Sequence, residues 1–353
     1  MFSQTKKTFQ FLAIGLIVLA LALAGCSGSK NSGSGNTNSN SGGSSSAGQS
    51  SSGGGNETAS GNETYDFVFI PKVVHPWYEA VEAGAKQAAE EFKAQGITIN
   101  ISFDAPAQAD VVEHAQKIES VVSRKPDVIA VAVLDEASDA AVIDDAINAG
   151  VKIITFDTDA PNSKRLMYVG HDKNEADGAT LAKLLAEKMN YEGEVAILAG
   201  SLSAPNHSQR VAGFKKEMEN YPNIKIVAEQ ADDDDLEKAV SLAENILQAH
   251  PNVKGFFGSN ASNPIGIARA VKDSGKAGDV FIVGMDDLPE TIQFIEEGVI
   301  TATVVQNVSD IGYNAVKYMV DIMQGKEVPD EHPTGAYVVT KDNLDEYYAK
   351  TGN

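Results

Sequence analysis

Short apolar runs rich in β-branched residues alternate along the chain with longer Ala-rich stretches whose apolar positions recur at helical spacing. The short runs predict strands at Asp66–Ile70, Ile97–Phe103, Asp127–Val133, Lys152–Phe156, Met167–Val169, Glu194–Leu198, Ile224–Ala228, Lys254–Phe257, Val280–Val283 and Thr301–Val305. The longer stretches predict helices at Pro76–Ala94, Val111–Ser123, Ser138–Asn148, Ala176–Met189, Ser208–Asn220, Leu236–Ala249, Pro264–Asp273, Pro289–Glu296 and Ile311–Met323. Near-continuous apolar strands covered by helices are typical of parallel sheets that are buried on both faces. We therefore predict an α/β, doubly wound fold.

The two halves of the chain contain a weak internal repeat. Residues 125–157 and 250–286 each run from a charged residue, Pro and Asp or Asn through a strand and a helix to a second strand. That second strand is followed by Asp157 in one half and by Asp286 in the other. The repeat favours two similar α/β domains over one large sheet.

The first 26 residues predict an export signal. Lys6 and Lys7 precede the apolar run Phe11–Ala24, which is shorter than the roughly 20 apolar residues of a membrane-spanning helix. The run ends in Leu-Ala-Gly-Cys, which resembles the bacterial lipobox, so we expect Cys26 to be lipidated and to become the mature N-terminus. The alternative is an uncleaved anchor helix with an incidental cysteine.

Residues 27–64 are almost entirely Ser, Gly, Asn and Thr. Such a stretch lacks the apolar residues that could offset the entropy of ordering, so we predict a flexible tether. The predicted body, Tyr65–Asn353, then has 353 − 64 = 289 residues.

The charge balance excludes one class of partner. The 353 residues include 28 Lys and Arg against 49 Asp and Glu, a formal net charge of −21. Nucleic-acid binding requires a basic face, so no nucleic-acid partner is expected. The single cysteine also excludes a disulfide framework and a thiolate metal site.

Candidate binding residues follow the predicted strands. In open parallel sheets, ligands bind beyond the carboxyl ends of the strands. In the first half these positions hold Lys72, His75, Trp77, Tyr78, Asp104, Asp135, Asp157, Thr158 and Asp159. In the second half they hold Ser201, Asn206, His207, Ser208, Gln209, Arg210, the run Asp232–Asp235, Asn260, Asp286, Asp287 and Gln306. These acceptors and amides, with one exposed aromatic plane, suit a sugar, whose hydroxyls both donate and accept and whose C–H face can stack on an indole.

Some of these residues have simpler interpretations. Trp77 could be an ordinary core residue, and Asp157 and Asp286 could be helix N-caps without a ligand. Arg210 could instead form a surface ion pair with Glu217.

Two further features of the second half suggest solvated positions. His207 could equally be a solvated turn residue. The Asp232–Asp235 run lacks the alternating ligands, Gly and distal Glu of a calcium loop, so a solvated helix start is favoured over a metal site.

Several stretches together resemble a known family, the type I periplasmic substrate-binding proteins of ABC transporters, in their ribose-binding-like branch. The resemblance covers Tyr65 to Tyr348, and the stretches that carry it are Phe69–Tyr78, Ile153–Asp157, Arg210–Phe214, Gly258–Asn260, Ile282–Asp286 and Thr303–Asn307. It implies an aromatic pair after the first strand and sugar-hydroxyl ligands further along the chain, here Trp77, Tyr78, Asp157, Asn260, Asp286 and Gln306.

The chain departs from the family pattern in two places. Thr158 stands where the family's Asp-Arg pair has its arginine, and Ser208 occupies the position of a cleft arginine, which leaves Arg210 nearby. The Ile-Pro-Lys opening at Lys72 and the Asp157-Thr158-Asp159 segment are instead similar to autoinducer-2 binders, in which a lysine and paired aspartates contact the ligand.

The resemblance also implies a mechanism. Three crossings near Gly170–Asp172, Gln306–Asn307 and Gly335–Ala336 would form a hinge between a first lobe (65–171 plus 307–335) and a second lobe (172–306 plus 336–353). A monomer held outside the cell membrane would close on a monosaccharide and present it to an ABC permease, with no cofactor and no chemistry.

Other functions are weighed against this one. The body has no G-x-G-x-x-G, Walker A or G-x-S-x-G motif, so an enzyme is not expected. A sugar-responsive repressor would need a basic helix-turn-helix where this chain has a signal and a tether. A sensor or chemoreceptor module that binds an autoinducer-2-like ligand, a polyol or an amino sugar remains open as the alternative.

Overall fold

The alternation of strands and helices continues through all of the described chain. The structure is a computed structural model that describes residues 63–352. Its strands are β1 (Glu63–Ile70), β2 (Ile97–Phe103), β3 (Val128–Val131), β4 (Ile153–Phe156), β5 (Tyr168–Gly170), β6 (Gly193–Ala199), β7 (Ile224–Ala231), β8 (Val253–Gly258), β9 (Phe281–Met285), β10 (Ala302–Gln306), β11 (Glu331–Pro333) and β12 (Ala336–Thr340). Its helices are α1 (Trp77–Lys93), α2 (Val111–Ser123), α3 (Glu136–Asn148), α4 (Asn174–Lys188), α5 (Pro205–Met218), α6 (Leu236–Ala249), α7 (Ser262–Asp273), α8 (Pro289–Glu296), α9 (Val308–Met323) and α10 (Leu344–Thr351).

The strands form two six-stranded sheets of equivalent order. The first sheet runs β11-β5-β4-β3-β1-β2 and the second runs β12-β10-β9-β8-β6-β7. Every pair is parallel except β10 with β12, which is antiparallel. The two-lobed, doubly wound α/β fold predicted from the sequence is confirmed, and β4 and β9, the strands that precede Asp157 and Asp286, occupy the same place in the two sheets.

Helices cover both faces of each sheet. Successive residues of a strand point to opposite faces, so each strand contributes side chains to two cores. In β1, Phe67 and Phe69 join a core with α1 and α9, whereas Val68 and Ile70 join a second core with α2 and α3. The second sheet is covered in the same way by α4 and α5 on one face and by α6 and α7 on the other. This burial explains why the strand sequences are apolar throughout rather than alternating.

Each lobe is completed by a helix that comes from the other half of the chain. Helix α9 follows β10 of the second sheet but packs on α1 of the first, and α4 follows β5 of the first sheet but packs on α5 of the second. The chain therefore crosses between the sheets three times, within residues 170–174, 306–308 and 333–336. These positions lie at the crossings that the resemblance implied.

Glycines allow these two helix pairs to approach closely. A Cβ added to Gly84 of α1 would lie 1.9 Å from the Ser309 carbonyl oxygen, and one added to Gly312 of α9 would lie 1.8 Å from that of Val81. In the second lobe, a Cβ on Gly178 of α4 would lie 2.0 Å from the carbonyl oxygen of Arg210. Both pairs thus depend on backbone-to-backbone contact that any side chain would prevent.

The N-terminal predictions fall mostly outside the described part of the chain. The signal over residues 1–26, the lipidation of Cys26 and most of the 27–64 tether lie there. Strand β1 begins at Glu63 and pairs with β2 from that residue, so the folded body extends two residues into the predicted tether. Over residues 63–352, no helix combines the length and apolar character needed to cross a membrane.

Candidate functional site

Two aspartates leave equivalent strands in the same strained conformation. Asp157 follows β4 with φ of 60°, and Asp286 follows β9 with φ of 67°. Their backbone N–H groups donate to the carbonyl oxygens of Val169 on β5 (3.1 Å) and Val304 on β10 (2.7 Å). The left-handed region costs a non-glycine residue up to about 1–3 kcal/mol, less for Asp, which adopts it more readily than most residues.

The Asp157 carboxylate is held from within the first lobe. The Tyr78 hydroxyl donates to Asp157 Oδ2 at 2.8 Å, and the Lys72 ammonium lies 3.1 Å from the same oxygen. Burial raises the pKa of Tyr78 well above its ordinary value, so this hydroxyl keeps its proton. Lys72 also donates to Thr158 Oγ1 at 3.0 Å. A buried ammonium is tolerated here because its protons all have acceptors.

Two hydrogen bonds join the loop after β1 to the second lobe. Lys72 Nζ donates to Asn206 Oδ1 at 3.3 Å, and His75 Nε2 lies 2.8 Å from Ser262 Oγ on α7. The Trp77 backbone N–H donates to His75 Nδ1 at 3.1 Å, so the ring proton is on Nε2 and Ser262 accepts it. Burial lowers the pKa of His75, which favours this neutral ring. The loop after β1 therefore contacts the second lobe directly.

Asp286 and the aromatic pair form the opposite side of the site. Gln306 Nε2 donates to Asp286 Oδ1 at 2.8 Å, and burial raises the pKa of the Asp286 carboxyl. The Trp77 and Tyr78 rings meet edge to face with centroids 5.1 Å apart. Trp77 is 8% exposed, so the indole is more buried than the exposed plane expected from the sequence. It is buried because it packs within the first-lobe core, against which Ala261 of the second lobe also lies.

The Arg210 guanidinium is buried in the second lobe. Its Nε donates to Asn174 Oδ1 at 2.9 Å and its Nη1 donates to the Ser259 carbonyl at 3.0 Å. Arg210 is 1% exposed, so the alternative of a surface ion pair with Glu217 is wrong. Glu217 instead accepts from the Tyr221 hydroxyl at 2.9 Å.

These side chains line one cavity. It contains ten of the residues predicted to bind ligand: Lys72, His75, Trp77, Tyr78, Asp157, Asn206, Arg210, Asn260, Asp286 and Gln306. Val73, His207, Asp234 and Ala261 complete its walls, and the cavity volume they leave is about 30 Å³. That volume holds one or two waters, so a ligand of several hydroxyls requires the walls to move apart.

Several buried polar atoms of these walls have no hydrogen-bond partner. They are the donor Arg210 Nη2, the acceptors Asp234 Oδ2 and Gln306 Oε1, and the donor Trp77 Nε1, which faces the Asp286 carboxylate closely enough to lower the pKa of that group but not in hydrogen-bond geometry. Buried polar atoms are nearly always paired in folded proteins, so a cluster of unpaired ones indicates a place where a ligand completes the network.

Three predicted site residues lie away from the cavity because other groups hold them. The Asp104 carboxylate pairs with Lys117 (2.8 Å) and with Arg124. Asp135 caps α3 by accepting from the Ser138 N–H at 2.8 Å. The Ser208 hydroxyl donates back to carbonyl oxygens of its own helix, at 3.0 and 3.2 Å.

Two more predicted residues border a neighbouring cavity instead. Thr158 and Asp159 line a second space that shares Asp157 and Asn206 with the first. Asp159 is committed to Arg165, whose Nη2 donates to Asp159 Oδ2 at 2.8 Å. Strand position alone could not reveal that partner, because Arg165 lies in the connection between β4 and β5.

The sequence analysis underestimated two residues of the second lobe. His207 is 3% exposed within α5, so the solvated-turn interpretation is wrong. In the Asp232–Asp235 run, Asp233 is exposed and Asp235 caps α6, as a solvated helix start requires, but Asp232 is fully buried and Asp234 enters the cavity. The position of Asp232 and Asp234 directly after β7 was the only feature of the sequence that indicated a place at the site. Within residues 63–352, no group of three or more His, Cys, Asp or Glu is arranged to hold a metal ion.

Comparison with known proteins gives a consistent result. Residues 67–327 match the family described as "Periplasmic binding protein domain". The chain is 32% identical over 271 residues to the D-allose-binding periplasmic protein of Escherichia coli K12, covering 74% of this chain and 86% of that protein. It is 33% identical over 269 residues to the D-apiose import binding protein of Actinobacillus succinogenes, covering 74% and 83%.

A solved structure supports the same assignment. The ABC transporter solute-binding protein of Burkholderia graminis C4D1M, in complex with D-arabinose, superposes with a TM-score of 0.75 at 36% identity. The match covers 81% of this chain and 99% of that one. All three relatives are named as binding proteins rather than enzymes, in agreement with the prediction that the chain is not an enzyme.

Proposed function

The chain belongs to the periplasmic binding protein family, in its ribose-binding-like branch, and we propose that it is the solute-binding lipoprotein of an ABC importer that captures a pentose- or hexose-like monosaccharide. The observation that carries this proposal is the set of unpaired polar atoms in one cavity between the lobes. Related proteins are named for D-allose and D-apiose, and another was solved in complex with D-arabinose.

The chemistry of the unpaired atoms fits sugar hydroxyls. Trp77 Nε1 and Arg210 Nη2 can donate, and Asp234 Oδ2 and Gln306 Oε1 can accept. A hydroxyl group donates once and accepts twice, so a ring that carries several hydroxyls can satisfy both kinds of atom. An apolar or purely anionic ligand would leave the carboxylate unpaired, which costs of the order of 1–3 kcal/mol for each buried group.

We propose that the two lobes close on this ligand about the three crossings. The first lobe comprises residues 65–171 and 307–335, and the second comprises 172–306 and 336–353. Asp157 and Lys72 come from the first lobe, whereas Asn206, Arg210 and Asp286 come from the second. A ligand that contacts both sets binds the closed form better than the open form, and this difference drives closure.

We further propose that the protein is exported and anchored. In this proposal residues 1–26 form the signal, an acylated Cys26 holds the protein at the outer face of the cell membrane, and the segment before Glu63 is the tether. The closed monomer would present its sugar to a membrane permease. A relative named as a periplasmic protein supports the export part of the proposal.

One observation favours a second candidate function. Lys72 extends into the cavity beside Asp157 and Thr158, the arrangement that the autoinducer-2 binders suggested from the sequence. The alternative is therefore a sensor or chemoreceptor module for an autoinducer-2-like ligand, a polyol or an amino sugar.

Fluorescence of the single tryptophan tests both candidates. Trp77 lines the cavity, so a bound sugar should change its emission, and thermal unfolding should shift upward in the same sample. The panel is D-allose, D-ribose, D-arabinose, D-apiose, ribitol, D-glucosamine and autoinducer-2. A response to a pentose or hexose supports the main proposal, and a response to autoinducer-2 alone supports the alternative. No response to any sugar, in emission or in unfolding temperature, would refute the sugar proposal.

A further inference from the structure

The inference concerns Asp234, a member of the Asp232–Asp235 run that the sequence favoured as a solvated helix start, and it rests on the proposed sugar-binding function. Asp234 lies in the turn between β7 and α6, where Asp233 and Asp234 adopt left-handed φ values of 56° and 63°. The fully buried Asp232 holds this turn, because its Oδ1 accepts from the Asp234 N–H at 2.9 Å. Asn263 Nδ2 in turn donates to Asp232 Oδ2 at 2.6 Å. The backbone is therefore fixed so that the Asp234 side chain enters the cavity.

The two oxygens of this carboxylate are in different situations. Asp234 Oδ1 accepts from Asn260 Nδ2 at 2.6 Å, whereas Oδ2 is buried and has no partner. The side chain is only 9% exposed, so water does not freely solvate the second oxygen. A buried carboxylate oxygen left in this state is costly, and a donor on the ligand would remove that cost.

His207 adds a second acceptor next to Asp234. His207 Nδ1 lies 3.2 Å from the carbonyl oxygen of Ser201, which can only accept, so the ring proton is on Nδ1. Burial lowers the pKa of His207 to about 4, so at neutral pH its Nε2 is an unprotonated acceptor. That atom lies 3.8 Å from Asp234 Oδ1. This part of the wall accepts hydrogen bonds and offers none toward the ligand.

Neighbouring groups keep Asp234 ionised. Burial alone would raise its pKa, but His207 and His75, once protonated in acid, together with the Lys72 ammonium and the Asn260 amide hold the pKa below its ordinary value. A ligand that places a C–H group against this carboxylate would therefore leave a buried charge without a donor. Such a mismatch is the strongest means of discrimination that a small polar site has.

We propose that Asp234 is a specificity-determining residue, whose free carboxylate oxygen Oδ2 accepts a hydrogen bond from one substituent of the sugar. The protein then selects sugars that carry a hydroxyl or amino group at that carbon over the corresponding deoxy sugars. A hydroxyl and an amino group both place a hydrogen-bond donor on a ring carbon, and they differ in charge.

The charge of the cavity is compatible with either a hydroxyl or an ammonium group on the ligand. Asp157, Asp234 and Asp286 oppose Lys72 and Arg210, so an ammonium would balance an excess carboxylate if Asp286 is ionised, and a hydroxyl would suffice if it is protonated. The neighbouring Asp233 provides a matched control, because it has the same backbone conformation but its side chain is 55% exposed and pairs with Lys238 on the surface.

The test compares the purified protein with its Asp234→Asn and Asp233→Asn variants by calorimetric titration. The ligands are D-ribose, D-allose and D-arabinose, each with its monodeoxy derivatives and with the monoamino derivatives at the same carbons. Asparagine also tolerates the left-handed region, so Asp234→Asn should fold, which its thermal unfolding checks. We expect one monodeoxy derivative to bind the unaltered protein about 10- to 100-fold more weakly than its parent, the range for a hydrogen bond to a charged group.

In Asp234→Asn, affinity for the parent sugar should fall by about tenfold or more while affinity for that deoxy derivative changes by less than about threefold. Asp233→Asn should match the unaltered protein. Tighter binding of the amino derivative at the same carbon would identify the donor as an ammonium, and weaker binding would identify it as a hydroxyl.

Two results would overturn the inference while leaving the proposed function intact. One is binding of the parent sugar and all its monodeoxy derivatives with equal affinity by the unaltered protein, which requires no variant. The other is an equal loss for parent and deoxy sugars in Asp234→Asn. Absence of binding by the unaltered protein to the whole panel would refute both.

Discussion

Asp157 and Asp286 are related by the internal repeat, since they end equivalent strands of the two sheets with φ values of 60° and 67° and face one cavity. One carboxylate therefore comes from each lobe. The simpler interpretation of both as helix N-caps does not fit, because neither caps a helix and each is paired with side chains of the cavity.

Replacement of either aspartate by alanine should weaken sugar binding by several kcal/mol, because ligand hydroxyls lose a charged acceptor. Asp157→Ala and Asp286→Ala should also unfold more easily, since alanine tolerates the left-handed region less well. Asp157→Asn and Asp286→Asn separate the effects, because they keep the backbone conformation and lose only the charge. Calorimetric titration and thermal unfolding measure both quantities. Unaltered affinity in the alanine variants would remove these residues from the site.

The hydrogen bond between His75 and Ser262 should favour closure. Ser262→Ala removes the acceptor at 2.8 Å and should weaken sugar affinity about two- to tenfold, the effect of one neutral hydrogen bond. The fold should be retained, because the bond joins the lobes rather than the core of either. Ser241→Ala on the exposed side of α6 is the matched control. Fluorescence titration of Trp77 measures the affinity, and equal values in the two variants would argue against a contribution from this bond.

Burial of His207 should make the stability of the fold depend on pH. An unfolded histidine titrates near pH 6.5, whereas the pKa of His207 in the fold is lowered to about 4. Folding therefore opposes protonation, and the contribution of His207 is complete above pH 6.5 and declines as the pH falls toward 4, by up to about 3 kcal/mol.

The measurement must separate the effect of His207 on stability from that of Asp232, which has the opposite dependence on pH. Burial raises the pKa of Asp232 to about 8, so that group stabilises the fold as the pH falls over the same range. The stability of the unaltered protein relative to His207→Asn isolates the histidine, and this difference should shrink from pH 6.5 to pH 4 in urea unfolding. A difference that stays constant for His207→Asn over this pH range would contradict the prediction.

The glycines between paired helices should be intolerant of alanine. Gly84→Ala and Gly312→Ala would place a Cβ within 2 Å of a backbone oxygen, so the α1–α9 pair must separate. We expect losses of at least about 2 kcal/mol in the free energy of unfolding, as for other overpacked cores. Lys86→Ala, at an exposed position on α1, should change stability by less than about 0.5 kcal/mol. Denaturant unfolding tests all three, and near-normal stability of the glycine variants would contradict the close approach.

The sequence was sufficient to predict the fold because hydrophobic periodicity determines which segments become strands and helices. All ten predicted strands and all nine predicted helices are present with small shifts at their ends. The short strands β11 and β12 and the helix α10 escaped prediction, because a three-residue strand such as Glu331–Pro333 carries no periodic pattern.

A site residue could be predicted from the sequence only where its place at the carboxyl end of a strand is enough to put it at the cavity. Asp157 and Asp286 follow buried strands, and their place at the cavity follows from sheet geometry. Asp104 also follows a strand, but its ion pairs with Lys117 and Arg124 depend on α2, which the pattern does not orient. The role of Asp234 was not predicted, because a run of acidic residues gives no sign of which member points inward.

The exchange of helices between the halves of the chain has a consequence for biosynthesis. The face of α1 remains uncovered until α9 has been made, and the first sheet gains its last strand only at Pro333, near the C-terminus. The amino-terminal lobe therefore cannot complete its fold during synthesis until most of the chain has been made. For the export proposed above this delay is useful, because a translocation channel accepts an unfolded chain more readily than a folded one.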